Sequence, residues 1–434
     1  MASLYVTSGG ITDAPNRVSR TYAWIVFAFT FGLLISDYMS RQVLNAVFPL
    51  LKQEWVLTDA QLGLLSSIVS LMVGLLTFPL SLLADRWGRV KSLVIMAALW
   101  SFATLGCGLA ENYEQMFVAR FLVGVGEAAY GSVGIAVVLS VFPRDMRATV
   151  SGAFMAGGML GSVLGMALGG VLAQHFGWRW AFVAMSVFGL GLTLIYPLVV
   201  KESRIGQLVA AGTSRGSGSL RTLYASRSVI CAYIGGGMQL FVGAAVIVWF
   251  PSYLNRYYAM GTDQAGTFAA LIVLMGGVGM ILCGVISDRL GSDAPGRKIN
   301  FAIALCSVSC IVLLCAFQLS PGPLQLALVG LGMLVATGTC GPAGAMVANL
   351  THPAVHATAF ATLALCNNLL GLAPGPFVIG LLADLIGLDR AFQLLPLVSV
   401  ITALVFLYAR RYYEADIQKL GRETEEHAVP GDSQ

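Results

Sequence analysis

Twelve apolar stretches, each long enough to cross a bilayer, run through this chain of 434 residues. They fall at about residues 22–49, 60–83, 92–110, 114–142, 148–173, 179–200, 228–254, 264–287, 299–319, 322–350, 357–383 and 391–409. One span takes about 20 predominantly apolar residues, so the pattern predicts an all-α membrane protein and leaves little chain for anything else. Composition agrees. Hydrophobic residues make up 57% of the sequence and charged residues 11%, with a mean hydropathy of +0.81. A soluble domain sits nearer about 45–50% and 25%. A soluble enzyme, a disordered chain, a secreted disulfide scaffold and a free nucleic-acid binder are all excluded.

The longest polar interruption, 201–227, is rich in Gly, Ser and Arg and reads as a linker. The expected organisation is a tail (1–21), a six-helix bundle (22–200), that linker, a second six-helix bundle (228–411) and a polar, acidic, mobile tail (412–434). The first 21 residues lack a short apolar core with a cleavage site, so the first apolar stretch is expected to be retained as a helix. With the N-terminus inside, nineteen Lys and Arg fall in cytoplasmic segments and four in outer loops. The positive-inside rule then predicts that both termini are cytoplasmic. All eight cysteines lie inside apolar stretches without a CxxC pair and are expected to be plain helix residues. His352 and His356, four apart in a loop, are too few for a metal site. No phosphate loop, HExxH or GxSxG motif stands where it would carry chemistry. Neither enzyme activity nor a cofactor or metal is expected.

An internal repeat appears at two loops. ADRWGRVK (84–91) follows the second stretch and SDRLGSDAPGRK (287–298) follows the eighth, each beginning Asp-Arg-x-Gly. Asp85 and Asp288 can cap a neighbouring helix, while Arg86, Arg89, Arg289 and Arg297 can pair with acids at helix ends, so both loops are expected to act as structural latches. Two halves of six helices, each with this turn between its second and third helices, resemble the major facilitator superfamily across essentially the whole chain. That resemblance implies two pseudo-symmetric six-helix bundles and a solute carried by alternating access.

Four charges lie well inside predicted spans: Asp37 and Arg41 in the first, Arg120 and Glu127 in the fourth. Each costs roughly 2.5–3.5 kcal/mol at a helix centre, so they must pair or line a wet cavity. Asp37 and Arg41 are one turn apart, Arg120 and Glu127 two, so each pair shares a helix face. At about 1.5 Å per residue, both acids lie near mid-membrane and both arginines roughly 9–10 Å outward. The resemblance puts the first and fourth helices side by side at the central cavity. Two carboxylates on one level in a low dielectric cannot both stay ionised cheaply, so Glu127 and Asp37 are the expected proton-coupling sites. Arginine keeps its charge and suits carboxylate or phosphate. Arg41 is the expected substrate anchor, and Arg120 either pairs with Glu127 or joins the anion site. The bland alternative is a set of static ion pairs holding helices in register.

Weaker signals surround these. Gly157, Gly161, Gly165 and Gly169 form a four-residue stripe on the fifth helix that favours close helix packing. Drug-exporting facilitators often carry Gly-Pro there; this helix has no proline. Tyr38, Asn45, Tyr130, Gln239, Trp249, Tyr253, Thr337, Asn367 and Asn368 could complete a cavity. The stretches LLISDYMSRQVLNAVFPLL (33–51), TDAQLGLLSS (58–67), GVGEAAYGS (124–132), FGWRWAF (176–182) and NNLLGLAPGPFVIGLLAD (367–384) resemble the bacterial spinster-like branch, with the anion–cation symporters as near neighbours. Members of both usually have Asp-Arg where this chain has Ser40-Arg41, and Asp37 is the candidate to replace that acid. The combined expectation is a monomeric, proton-coupled carrier of a small organic anion in a bacterial inner membrane. The alternative implied by the resemblance is a carrier of lysophospholipid or another amphiphile, meeting its phosphate through Arg41 or Arg120.

Overall fold

A computed structural model describes residues 19–202, 223–224, 226–290, 296–352 and 355–428. Its twelve long apolar helices are α1 (Arg20–Trp55), α2 (Asp59–Trp87), α3 (Arg89–Leu109), α4 (Tyr113–Val141), α5 (Thr149–Phe176), α6 (Trp178–Val199), α7 (Arg227–Tyr258), α8 (Thr262–Leu290), α9 (Gly296–Gln318), α10 (Pro323–Leu350), α11 (Thr358–Ile386) and α12 (Leu388–Leu420). The all-α, two-bundle architecture expected from the sequence is therefore present, and no strand occurs among the described residues. The segments expected as the N-terminal tail and the linker lie largely outside those residues.

Local sequence sets the helix ends. The Thr58 side chain accepts from Gln61 N while Gln61 reaches back to the Thr58 amide, a capping box that starts α2. Asn112 and Ser226 cap α4 and α7. Gly88, Gly177 and Gly387 stop α2, α5 and α11 with φ of 90–100°, where a side chain would be strained. The start of the segment expected as the C-terminal tail is helical. Beyond Tyr413 the helix runs on to Ala428, because Glu, Ala, Gln, Lys, Leu and Arg are strong helix formers. Tyr413 is fully buried, and Asp416 accepts from Ser228 N at the start of α7.

Two helices that border the centre are broken. α4 consists of Tyr113–Glu127 and Tyr130–Val141, and α10 of Pro323–Thr337 and Cys340–Leu350. The first segment has 15 residues in both, so the breaks are equivalent in the two halves. Glu127 ends one and Thr337 ends the other. In α11, a π turn covers Asn368–Leu372 just before Pro374, as expected where proline removes a donor. The α5 glycine stripe packs on α1: a Cβ at Gly161 would meet Ile35 O at 2.6 Å, and one at Gly165 would meet the Met39 Cα at 2.6 Å.

The halves are joined at the end that carries the α1–α2 loop. α2 crosses α11 so closely that a Cβ on Gly63 would lie 2.5 Å from Pro376 O. α8 crosses α5 in the same way, Gly266 against Met166 O at 2.7 Å. Both crossings end in a cap on the opposite half. Asp384 of α11 accepts from Asp59 N (2.7 Å) and Ala60 N (2.8 Å) at the start of α2. Gln174 of α5 accepts from Thr262 N (3.0 Å) at the start of α8.

The two repeat loops depart from expectation. Asp85 pairs within its own loop, with Arg89 Nε at 3.1 Å, and does not cap α3. That cap is Glu202, after α6, which accepts from Arg89 N (3.0 Å) and Val90 N (2.7 Å). Arg86 is exposed. In the second copy, Asp288 lies 3.5 Å from Lys298 Nζ, Arg289 and Arg297 are exposed, and 291–295 lie outside the described residues. Glu414 of α12 sits against Gly296 at the start of α9. In each half an acid from the end of the sixth helix, or just after it, thus sits at the start of the third.

Candidate functional site

The four intramembrane charges converge. Glu127 ends the first α4 segment and Asp37 lies in mid-α1; both are buried. Arg41 Nε donates to Glu127 Oε2 at 2.6 Å and lies 3.5 Å from Asp37 Oδ1. The two carboxyls also lie against each other, and Asp37 Oδ1 and Glu127 Oε1 have no hydrogen-bond partner among the described residues. Two buried acids therefore share one guanidinium. The substitution of Asp37 for an acid at position 40 is structurally coherent, since the helical turn from 37 to 41 brings acid and arginine together. Ser40 itself is buried and donates to Ser36 O at 2.9 Å.

Arg120 is placed otherwise than pairing would have it. It donates through Nε to Leu65 O (3.3 Å) and through Nη1 to Ser40 O (3.0 Å), tying α4 to α2 and α1. Among the described residues it forms no ion pair, and Glu127 pairs with Arg41 instead.

Both arginines line one cavity of about 140 Å³ between the halves. Its first-half wall is Tyr38, Arg41, Gln42 and Asn45 of α1, Ser66, Val69 and Ser70 of α2, and Arg120. Its second-half wall is Ala244, Ile247 and Val248 of α7 with Leu372 of α11. The Arg41 side chain is 18% exposed while that of Glu127 is wholly buried, so the arginine stands between cavity and acids. Its guanidinium lies over the Tyr38 ring, 5.4 Å from the centroid, and Asn45 Nδ2 donates to Gln42 Oε1 at 2.6 Å.

Of the other expected cavity residues, Tyr130 is fully buried. Its hydroxyl donates to Thr30 O (2.6 Å) and its ring meets Trp100 edge-on, so it packs α4 against α1 and α3 and does not line this cavity. Gln239 donates to Ser309 Oγ at 3.2 Å, Trp249 to Pro376 O at 2.8 Å, and Thr337 to Gly276 O at 2.6 Å. Tyr253 accepts from Gln325 Nε2 at 3.0 Å. Asn367 and Asn368 lie outside that wall, each with an unpartnered Oδ1. Sequence reasoning passed over Gln42, Ser66 and Ser70. Gln42 had a signal, since 38, 41, 42 and 45 form one helical face.

Beyond the cavity, the joined end carries a charged network. Arg256 of α7 grips Asp59 with both arms, Nη1 to Oδ2 at 2.7 Å and Nη2 to Oδ1 at 2.5 Å, and Lys52 of α1 adds a third contact at 2.6 Å. Among the described residues no group of three or more His, Cys, Asp or Glu could hold a metal.

Twelve spans in two equivalent bundles around a small, charged central cavity define a membrane carrier. The Major Facilitator Superfamily model matches residues 30–374; the chain belongs to that family and is a transporter, not an enzyme. It is 24% identical to the hexuronate transporter of Bacillus subtilis over 296 residues, covering 66% of this chain and 69% of that one. It is 24% identical to protein spinster homolog 3 of Danio rerio over 451 residues (96% and 90%). It is 27% identical to the gallate transporter of Pseudomonas putida over 429 residues (90% and 93%). A solved bacterial homolog of the human lysosomal transporter Spinster, inward-facing and occupied, superposes with a TM-score of 0.82 at 20% identity, over 92% of this chain and 99% of that one. That likeness supports the fold.

Proposed function

We propose that this protein moves a small carboxylate together with a proton across a bacterial inner membrane by alternating access, as a monomer with both termini cytoplasmic. The observation that carries the reading is the arrangement at Arg41, a cavity-facing guanidinium backed by two dry carboxylates that share it. With Asp37 and Glu127 both ionised, the charges of Asp37, Glu127, Arg41 and Arg120 sum to zero. One proton on this carboxyl pair leaves the site one unit positive. A monocarboxylate then restores neutrality. Each ligand favours the other by this count, and the doubly loaded site crosses the low-dielectric interior at least cost.

The positive-inside count places the joined α1–α2 end outside, so this is an inward-facing arrangement. The bacterial relatives named for hexuronate and gallate support an organic acid as cargo. The cavity supports it as well, because about 140 Å³ is far short of the roughly 300–1,000 Å³ of sites for larger ligands, and a lysolipid is larger still.

The test is uptake of labelled carboxylates into proteoliposomes. Uptake should follow an imposed pH difference, be lost in Arg41→Ala, and be indifferent to a potassium–valinomycin potential, since one proton accompanies one negative charge. Uptake that follows the potential with no response to pH would refute the proposal.

A further inference from the structure

The two walls of the cavity differ in chemistry. Every ionised or hydrogen-bonding side chain lining it belongs to the first half: Arg41 and Arg120, then Tyr38, Gln42, Asn45 and two serines. The second half presents Ala244, Ile247, Val248 and Leu372 only, all without a side-chain donor or acceptor. These four lie on two helices, α7 and the π turn of α11, so the apolar face is built by two separate pieces of chain. Neutral polar groups are available in that half. Gln239, Thr337 and Asn367 lie elsewhere, and the first two are already engaged with Ser309 and Gly276.

From this asymmetry we infer that the cargo is a monocarboxylate about the size of one ring whose body, on the side away from the carboxylate, is apolar. A polyhydroxylated sugar acid is excluded as a good substrate. The inference rests on the carboxylate reading above and adds the chemistry of the rest of the molecule. A cavity of about 150 Å³ holds one benzene ring, so the observed space of about 140 Å³ is on the scale of a single ring or a short branched chain. A sugar acid bears hydroxyls around its whole periphery. With its carboxylate on Arg41, some of them must press against Ile247, Val248 and Leu372 and give up water without a replacement partner. An apolar pocket discriminates against one added hydroxyl by about a hundredfold. An aromatic or branched acid loses no hydrogen bond there and gains apolar burial. Ala244, Ile247, Val248 and Leu372 are thereby specificity-determining residues, and the arginines are blind to the difference.

The experiment compares benzoate and cyclohexanecarboxylate with gluconate and glucuronate, using the purified full chain, calorimetric affinities and proteoliposome uptake. The wild type should bind the first pair at least about tenfold more tightly than the second. Val248→Thr, which keeps the side-chain shape, should narrow that ratio, and Ala244→Ser should narrow it less. Arg41→Ala should abolish binding of every acid. Equal affinities for all four acids, with binding still lost in Arg41→Ala, would overturn this inference and leave the carboxylate reading standing. The inference falls in the same way if Val248→Thr and Ala244→Ser both fold, by an unchanged melting profile, and leave the ratio unchanged. Failure of all four acids to bind would overturn both.

Discussion

The two halves share a backbone plan and divide the work unequally. The first half carries every intramembrane charge; at the equivalent break in the second half Thr337 stands where the first has Glu127. Thr337 spends its one donor on Gly276 O, so it closes a helix contact and, being neutral, brings neither a charge nor a proton-binding carboxylate to that break. What differs is chemistry, not architecture. On the proposed function, one bundle handles charge and the other shapes the space for the uncharged part of the cargo. Such a division needs no symmetry in the site, only symmetry in the hinge.

The sharpest way to break this contrast is to empty the charged wall. Arg41→Ala strips two buried carboxylates of their shared cation, and breaking a buried pair costs about 3–5 kcal/mol. Carboxylate affinity should fall by at least about a hundredfold, as read by titration calorimetry, with a lowered melting temperature. An affinity within about threefold of wild type would return Arg41 to a purely structural role. Next in size is Glu127→Gln, which keeps the hydrogen-bonding shape and removes the proton site. Counterflow exchange should persist while pH-driven accumulation collapses to equilibration. Accumulation at the wild-type level would move the proton elsewhere.

Much of this is legible in the chain alone. Twelve spans follow from hydropathy, and the four charges declare themselves by cost. Turn spacing alone brings Asp37 to Arg41, and depth counting puts Asp37 level with Glu127. That the two acids meet also needs the helix adjacency implied by the family resemblance, and the Arg41–Glu127 contact lies outside the pairs that spacing predicts. The pairing of Arg120 with Glu127 is where that reasoning fails. Arg120 and Glu127 share a face of α4, but Arg41 reaches Glu127 from α1, and spacing along one helix cannot reveal which arginine the acid takes. Glu202 escapes notice for a related reason. It lies far along the chain from the α3 amides it caps, and an isolated acid after a span has no pattern of its own. The apolar wall is invisible too. Ala244, Ile247 and Val248 look like any membrane helix until the charged face opposite gives them meaning.

The smallest expected effects lie at the joined end, where the halves are again equivalent in plan and unlike in charge. Asp384 caps α2 with two charge-assisted bonds, and Asp59 next to it is neutralised by Lys52 and Arg256. Gln174 caps α8 with one neutral bond. Bonds to charged groups contribute about 1.5–3 kcal/mol and neutral ones about 0.5–1.5, and a carboxylate gains further from the helix N-terminus. Asp384→Ala should therefore shift the balance between closed and open forms of this end by about tenfold or more, and Gln174→Ala by about threefold. Spin labels at Val56 and Leu319, one on each half and both exposed, would report the two populations as distance distributions. Equal shifts from the two variants would mean that closure rests on the backbone crossings at Gly63 and Gly266, with the caps only following. A larger shift from Asp384→Ala would make the charged cap the part that sets how readily this end opens.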